Sequence, residues 1–99
     1  MSYKCISIDD AKVLIEQSGA TIADVRDAGA FRASSIENAI NIQQENLEEF
    51  LASVDKNKPL IVYCYHGNSS RGAADYFSSK GYDEVYSMDG GYEAWRLKY

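Results

Sequence analysis

The chain has 99 residues, 45% hydrophobic and 25% charged, an ordinary composition for a folded chain with one modest core. Fifteen acidic residues against ten basic ones give a net charge of -5, the wrong sign for a surface that neutralises nucleic-acid phosphates. No stretch reaches the roughly 18 apolar residues of a bilayer span, and the start MSYKCISIDD has no secretory core, so a single cytoplasmic domain over 1–99 with neither membrane nor nucleic acid as partner is expected.

Strand-prone and helical segments alternate along the chain, which predicts an α/β fold: a mainly parallel central sheet of about five strands with helices on both faces. Tyr3 to Ile6 reads as a short strand. Ser7 and Asp10 then resemble a capping box with Asp in place of Glu, opening a helix whose apolar side carries Ala11, Leu14 and Ile15 and which stops at Gly19. Thr21 to Val25 is a second strand, running into the charged group Asp24, Arg26 and Asp27. From Phe31 to Ile42 the chain reads as irregular except for a short strand at Ile40 to Ile42, before Leu47, Phe50, Leu51 and Val54 recur at helical spacing.

Asp55 to Pro59 forms a polar break ahead of the central strand Leu60 to Tyr63. A helix with Ala73, Tyr76 and Phe77 on one face follows and ends at Gly81. Glu84 to Met88 is the last strand, and Asp89, Gly90 and Gly91 turn the chain into a terminal helix with Tyr92 and Trp95.

The chemistry is expected between the central strand and the helix after it. Cys64 stands where an apolar strand ends in a Gly-containing loop, the place where open α/β sheets take ligands. The loop Tyr65, His66, Gly67, Asn68, Ser69 and Ser70 is short and contains a glycine, an asparagine and two serines, so its backbone can curl and turn several N–H groups inward as an anion nest. Ser69 or Ser70 is expected to cap the following helix, whose N-terminus adds about half a positive charge. Comparable settings bring a cysteine pKa from about 8.5 to between roughly 3.5 and 7.5, so a thiolate is available without a base. The competing reading is a cysteine that is simply the last buried residue of its strand.

The run CYHGNSSRGAA after LIVY resembles the active-site loop of the rhodanese family. Asp24-Val25-Arg26-Asp27 is similar to the family's early DVR element, Phe31 and Ile36 to Ile42 to its middle segment, and Gly81-Tyr82, Asp89-Gly90-Gly91 and Trp95 to its ending. The resemblance covers nearly the whole chain. Departures are Ser34, Ser35 and Asn38, where many members have Gly-His and a later Gly, and Ser69, where many carry Arg.

The resemblance implies a cysteine persulfide and ping-pong sulfur transfer from thiosulfate to cyanide, a thiol or a dithiol, without cofactor or metal. Cys64 would be the nucleophile, and the N–H groups from Tyr65 to Ser70 would cradle the anionic sulfur. A protein acceptor, or a non-catalytic sulfur carrier or regulatory domain, would use the same residues.

A cysteine-dependent phosphatase also cradles an oxyanion in such a loop, but needs cysteine, five residues, then arginine. Ser70 occupies that position, and Arg71 comes one later. His66, the single histidine, fits a rim or backbone role better than a general base, and Arg71 fits either anion binding or a solvated helix face. Asp24, Arg26 and Asp27 read as a structural ion-pair group. Tyr65 either walls the pocket or faces solvent, Cys5 is expected to be buried packing, and Tyr92 and Trp95 are expected to pack.

Overall fold

The strand Leu60–Tyr63 consists of four apolar or aromatic residues, all buried, as a strand covered on both faces requires. In the computed structural model, which describes residues 3–99, this is β4, the centre of a five-stranded sheet. The other strands are β1 (Lys4–Ile6), β2 (Thr21–Asp24), β3 (Ile40–Asn41) and β5 (Val85–Met88), in the order β1-β5-β4-β2-β3 with every pairing parallel. The helices are α1 (Ile8–Ser18), α2 (Ala28–Ala33), α3 (Leu47–Ser53), α4 (Ser69–Ser79) and α5 (Gly91–Lys98), with a 3-10 turn at Gln44–Asn46 before α3. The α/β architecture with a parallel sheet agrees with the expectation from the sequence.

Alternation along β4 divides the core into two layers. Leu60 and Val62 join Ala23, Phe50, Ala74, Phe77, Tyr82 and Val85 beneath α3 and α4. Ile61 and Tyr63 join Ala11, Ile22, Ile36, Met88 and Tyr92 beneath α1 and α5. Local signals set the boundaries of α1: the Ser7 hydroxyl accepts from the Asp10 N–H at 3.0 Å, and Gly19 ends the helix at φ 62°. Register places Asp24 beside Tyr63 and Val62 beside Ser87, so the carboxyl ends of β2, β4 and β5 open onto one edge of the sheet.

Three expectations need correction. The segment read as irregular from Phe31 begins inside α2, which Asp27 caps by accepting from the Ala30 N–H at 2.9 Å. The buried side of α4 is Ser70, Ala74 and Phe77, with Ala73 partly covered, whereas Tyr76 points outward at 38% exposure. Cys5 is exposed, because β1 is an edge strand whose side chains at Lys4 and Cys5 no helix covers.

Candidate active site

Cys64 follows β4 directly and is buried, with 6% of its surface exposed. Burial alone would make this a packing cysteine, but its surroundings are polar. The N–H groups of Gly67 and Ser70 each point at Sγ from 3.2 Å, and the Ser70 hydroxyl lies 3.4 Å from it. Burial pushes the Cys64 thiol up, while the Ser70 hydroxyl and the N–H groups of Ser70, Gly67 and His66 bring it down, and the net direction is below the ordinary thiol value. The donors thus favour the anionic form of a sulfur whose burial alone would disfavour it.

Two features shape the loop so that its N–H groups face inward. Gly67 adopts φ 93°, and a Cβ there would come within 2.9 Å of the Gly90 nitrogen. On the outer side, the Tyr92 N–H donates to the Cys64 carbonyl at 2.8 Å and the Glu93 N–H to the Tyr65 carbonyl at 3.0 Å. The first turn of α5 therefore holds the loop's carbonyls outward. Such an approach needs a glycine at the contact: a Cβ on Gly91, where φ is 60°, would lie 2.5 Å from the carbonyl oxygens of Cys64 and Tyr65.

Beside the sulfur lies a cleft of ≈ 300 Å³ lined by Val25, Arg26, Asp27, Cys64, Tyr65, His66, Asn68 and Ser69. Tyr65 both walls this cleft and faces solvent, with 45% of its surface exposed. His66 stands exposed at the rim, and its backbone rather than its ring addresses the sulfur. Asn68 and Ser69 are exposed at the mouth, and neither Ser69 nor Ser70 caps α4: the N-cap position is Asn68, which makes no side-chain cap bond. Ser70 is instead turned inward, against the sulfur. Arg71 is exposed and does not line the cleft.

The floor of the cleft is braced by a buried ion pair. Arg26 meets both carboxylate oxygens of Asp24, its Nη2 lying 2.7 Å from Oδ2, and the same nitrogen donates to the Ser34 carbonyl at 2.6 Å. The guanidinium lies 4.4 Å from the Tyr92 ring centroid and about the same order of distance from Tyr63 and Tyr65, at 5.5 and 5.4 Å. Burial draws the Arg26 pKa down and the Asp24 carboxylate raises it, the net direction being upward. Asn41 and Gln43 donate to the Arg26 carbonyl, each at 3.0 Å, a bracing role for which the sequence carried no recognisable signal.

The departures in the middle segment are accommodated locally. Asn38 takes φ 70°, the left-handed conformation for which glycine is usual and asparagine the common substitute. The Ser34 hydroxyl pairs with the Tyr92 hydroxyl. Tyr92 is buried and Trp95 half-buried, both packed in the layer beneath α1 and α5. Among the described residues, no group of three or more His, Cys, Asp or Glu side chains is placed to hold a metal ion, and no helix is long and apolar enough to cross a membrane.

The rhodanese-like domain pattern matches residues 7–98. The chain belongs to the rhodanese family. This rhodanese is 44% identical over 97 residues to the thiosulfate sulfurtransferase GlpE of Pseudomonas savastanoi pv. phaseolicola, covering 98% of the chain and 91% of the relative. It is 42% identical over 94 residues to the protein of the same name from Shewanella oneidensis, covering 95% and 93%. Its fold is similar to that of a rhodanese-related protein from Thermoplasma volcanium, with a TM-score of 0.81 and 31% identity across 97% of this chain and 93% of the other. A rhodanese-like domain protein from Staphylococcus aureus has a TM-score of 0.78 and 29% identity, with 94% and 90% covered.

Proposed function

We propose that this rhodanese is a thiosulfate sulfurtransferase in which Cys64 carries the transferred sulfur as a persulfide. The observation that carries the reading is the ring of donors on the buried Sγ: two N–H groups at 3.2 Å and the Ser70 hydroxyl at 3.4 Å, in a loop that opens on a cleft. Donors fixed in this way are worth more in a low-dielectric site than in water, and need no reorganisation when negative charge builds up on sulfur. The names borne by the relatives fit the same chemistry.

In the first half-reaction the Cys64 thiolate attacks the outer sulfur of thiosulfate. An S–S bond forms to Cys64, the S–S bond within thiosulfate breaks, and sulfite leaves with the bonding pair. The resulting persulfide anion is held by the loop donors. In the second half-reaction a thiophilic acceptor, cyanide or a thiol, attacks the terminal sulfur, and Cys64 leaves as thiolate. No separate base is needed to generate the nucleophile, which leaves His66 a rim residue.

The test is intact-protein mass spectrometry after thiosulfate treatment. One added sulfur, mapped to Cys64 and removed by cyanide or by a reductant, is expected. Cys64→Ser should abolish both the adduct and the turnover, while Cys5→Ser should leave them unchanged, since Cys5 is an exposed edge-strand residue that does not line the cleft. Absence of the adduct in protein whose Cys64 alkylates readily would overturn the assignment.

A further inference from the structure

Besides the Tyr82 hydroxyl, the layer beneath α3 and α4 carries two buried polar side chains. Ser70, in the first turn of α4, and Ser87, in the middle of β5, are both fully buried, and their hydroxyl oxygens are 2.8 Å apart. Ser87 has the same strand parity as Val85, which packs into this layer, so a small apolar residue would satisfy the packing there. A buried hydroxyl without a partner costs about 1–3 kcal/mol, and Ser70 is the side-chain partner Ser87 has among the described residues. Ser70 in turn is the hydroxyl that lies on Cys64 Sγ.

We propose that Ser87 is a positioning residue for the proposed thiolate chemistry, orienting the Ser70 hydroxyl so that its proton is directed at Cys64. The inference rests on Cys64 being the working nucleophile. A serine hydroxyl has one proton and two lone pairs. When Cys64 is a thiolate it has no proton to give, so the order Ser87 O–H to Ser70 O, and Ser70 O–H to sulfur, satisfies all three groups. When Cys64 is a thiol, S–H donates to Ser70 and Ser70 donates to Ser87. Ser87 thus switches from acceptor to donor as the sulfur ionises, and polarises the Ser70 hydroxyl toward the anion.

The charged and titratable groups facing Cys64 are Arg26 and Asp27 from the segment after β2, and Tyr65 and His66 from its own loop. Arg26 is committed to Asp24 and Asp27 caps α2, so the neutral serine chain is a separate influence on the sulfur.

The experiment measures the rate of iodoacetamide alkylation at Cys64 as a function of pH, in a Cys5→Ser background that removes the exposed thiol. Ser87→Ala should slow the reaction at pH 7 by about threefold, the worth of a modest hydrogen bond, and displace the profile to higher pH, with the plateau rate at high pH unchanged. In a Ser70→Ala background the same substitution should have no further effect. A profile that does not move, whether or not the melting temperature falls, overturns the proposal; so does an equal displacement with and without the Ser70 hydroxyl. Alkylation reads the thiolate without any sulfur donor, so a failure of sulfur transfer from thiosulfate is seen separately.

Discussion

Replacing Gly91 by alanine tests whether the last helix builds the sulfur site or merely packs nearby. The new Cβ would lie 2.5 Å from the Cys64 carbonyl oxygen and from the carbonyl carbon and oxygen of Tyr65, all backbone atoms that cannot rotate away. Alanine at φ 60° costs about 1–2 kcal/mol, and a forced backbone shift typically costs about 1–3 kcal/mol more. The expected loss is about 2–5 kcal/mol, a large part of the roughly 5–15 kcal/mol of a small domain. At about 4–8 °C per kcal/mol, the melting temperature should fall by at least about 8 °C.

The displaced loop should also lose its grip on sulfur, so alkylation of Cys64 at neutral pH slows at temperatures where the variant remains folded. Gly72→Ala is the control. It lies within α4, a Cβ there meets nothing within 4 Å, and the substitution should stabilise by about 0.5–1 kcal/mol. Circular dichroism melts and alkylation rates on the two variants decide the matter. If Gly91→Ala melts within about 2 °C of the parent and alkylates at the same rate, the account of α5 holding the loop carbonyls is wrong.

Asp24→Asn should destabilise by about 3–5 kcal/mol, because it leaves the buried Arg26 guanidinium without its counter-charge; urea unfolding measures this, and a loss under 1 kcal/mol would show that the pair is not needed. Ser69→Arg adds a cation at the mouth of the cleft and should lower the KM for thiosulfate in steady-state assays, with an unchanged or raised KM counting against an anionic donor bound there. The Cys64 thiol is displaced downward in the folded protein from the ordinary thiol value, so its ionisation stabilises the fold fully above that ordinary value and ceases to do so as pH falls through the folded value. The stability difference between the parent and Cys64→Ala should therefore grow from acid pH up to that ordinary value, and a difference that is flat or shrinks across that range would contradict the donor geometry.

Where a residue's role is set by its immediate neighbours in sequence, it was legible. Ser7, Gly19 and the apolar run of β4 each announce the structure they form. Helix α2 is not legible from periodicity, because its six residues include no buried one and so present no apolar face; its one local signal is Asp27 placed to cap it. The apolar pattern puts Tyr76 on the inner side of α4, whereas the inner stripe includes the polar Ser70, which an apolar count passes over. Cys5 illustrates that residue-type averages for burial fail on an edge strand.

At the site, the loop and its nucleophile candidate stood out through position and glycine content, whereas Ser87, Gly91, Asn41 and Gln43 act through contacts distant in sequence. Ser87 comes closest to leaving a trace, as the one small polar side chain in the run Val85–Met88, but only the register of β5 against β4 shows what it meets.

The bonds from Tyr92 and Glu93 to the carbonyls of Cys64 and Tyr65 have a consequence for the order in which the protein matures. Cys64 precedes in the chain the α5 residues whose N–H groups hold its loop, so under the proposed chemistry the thiol would acquire its cradle only when α5 docks. On the proposed reading, reactivity would thereby be tied to the finished fold, a chain without a docked α5 carrying an ordinary thiol.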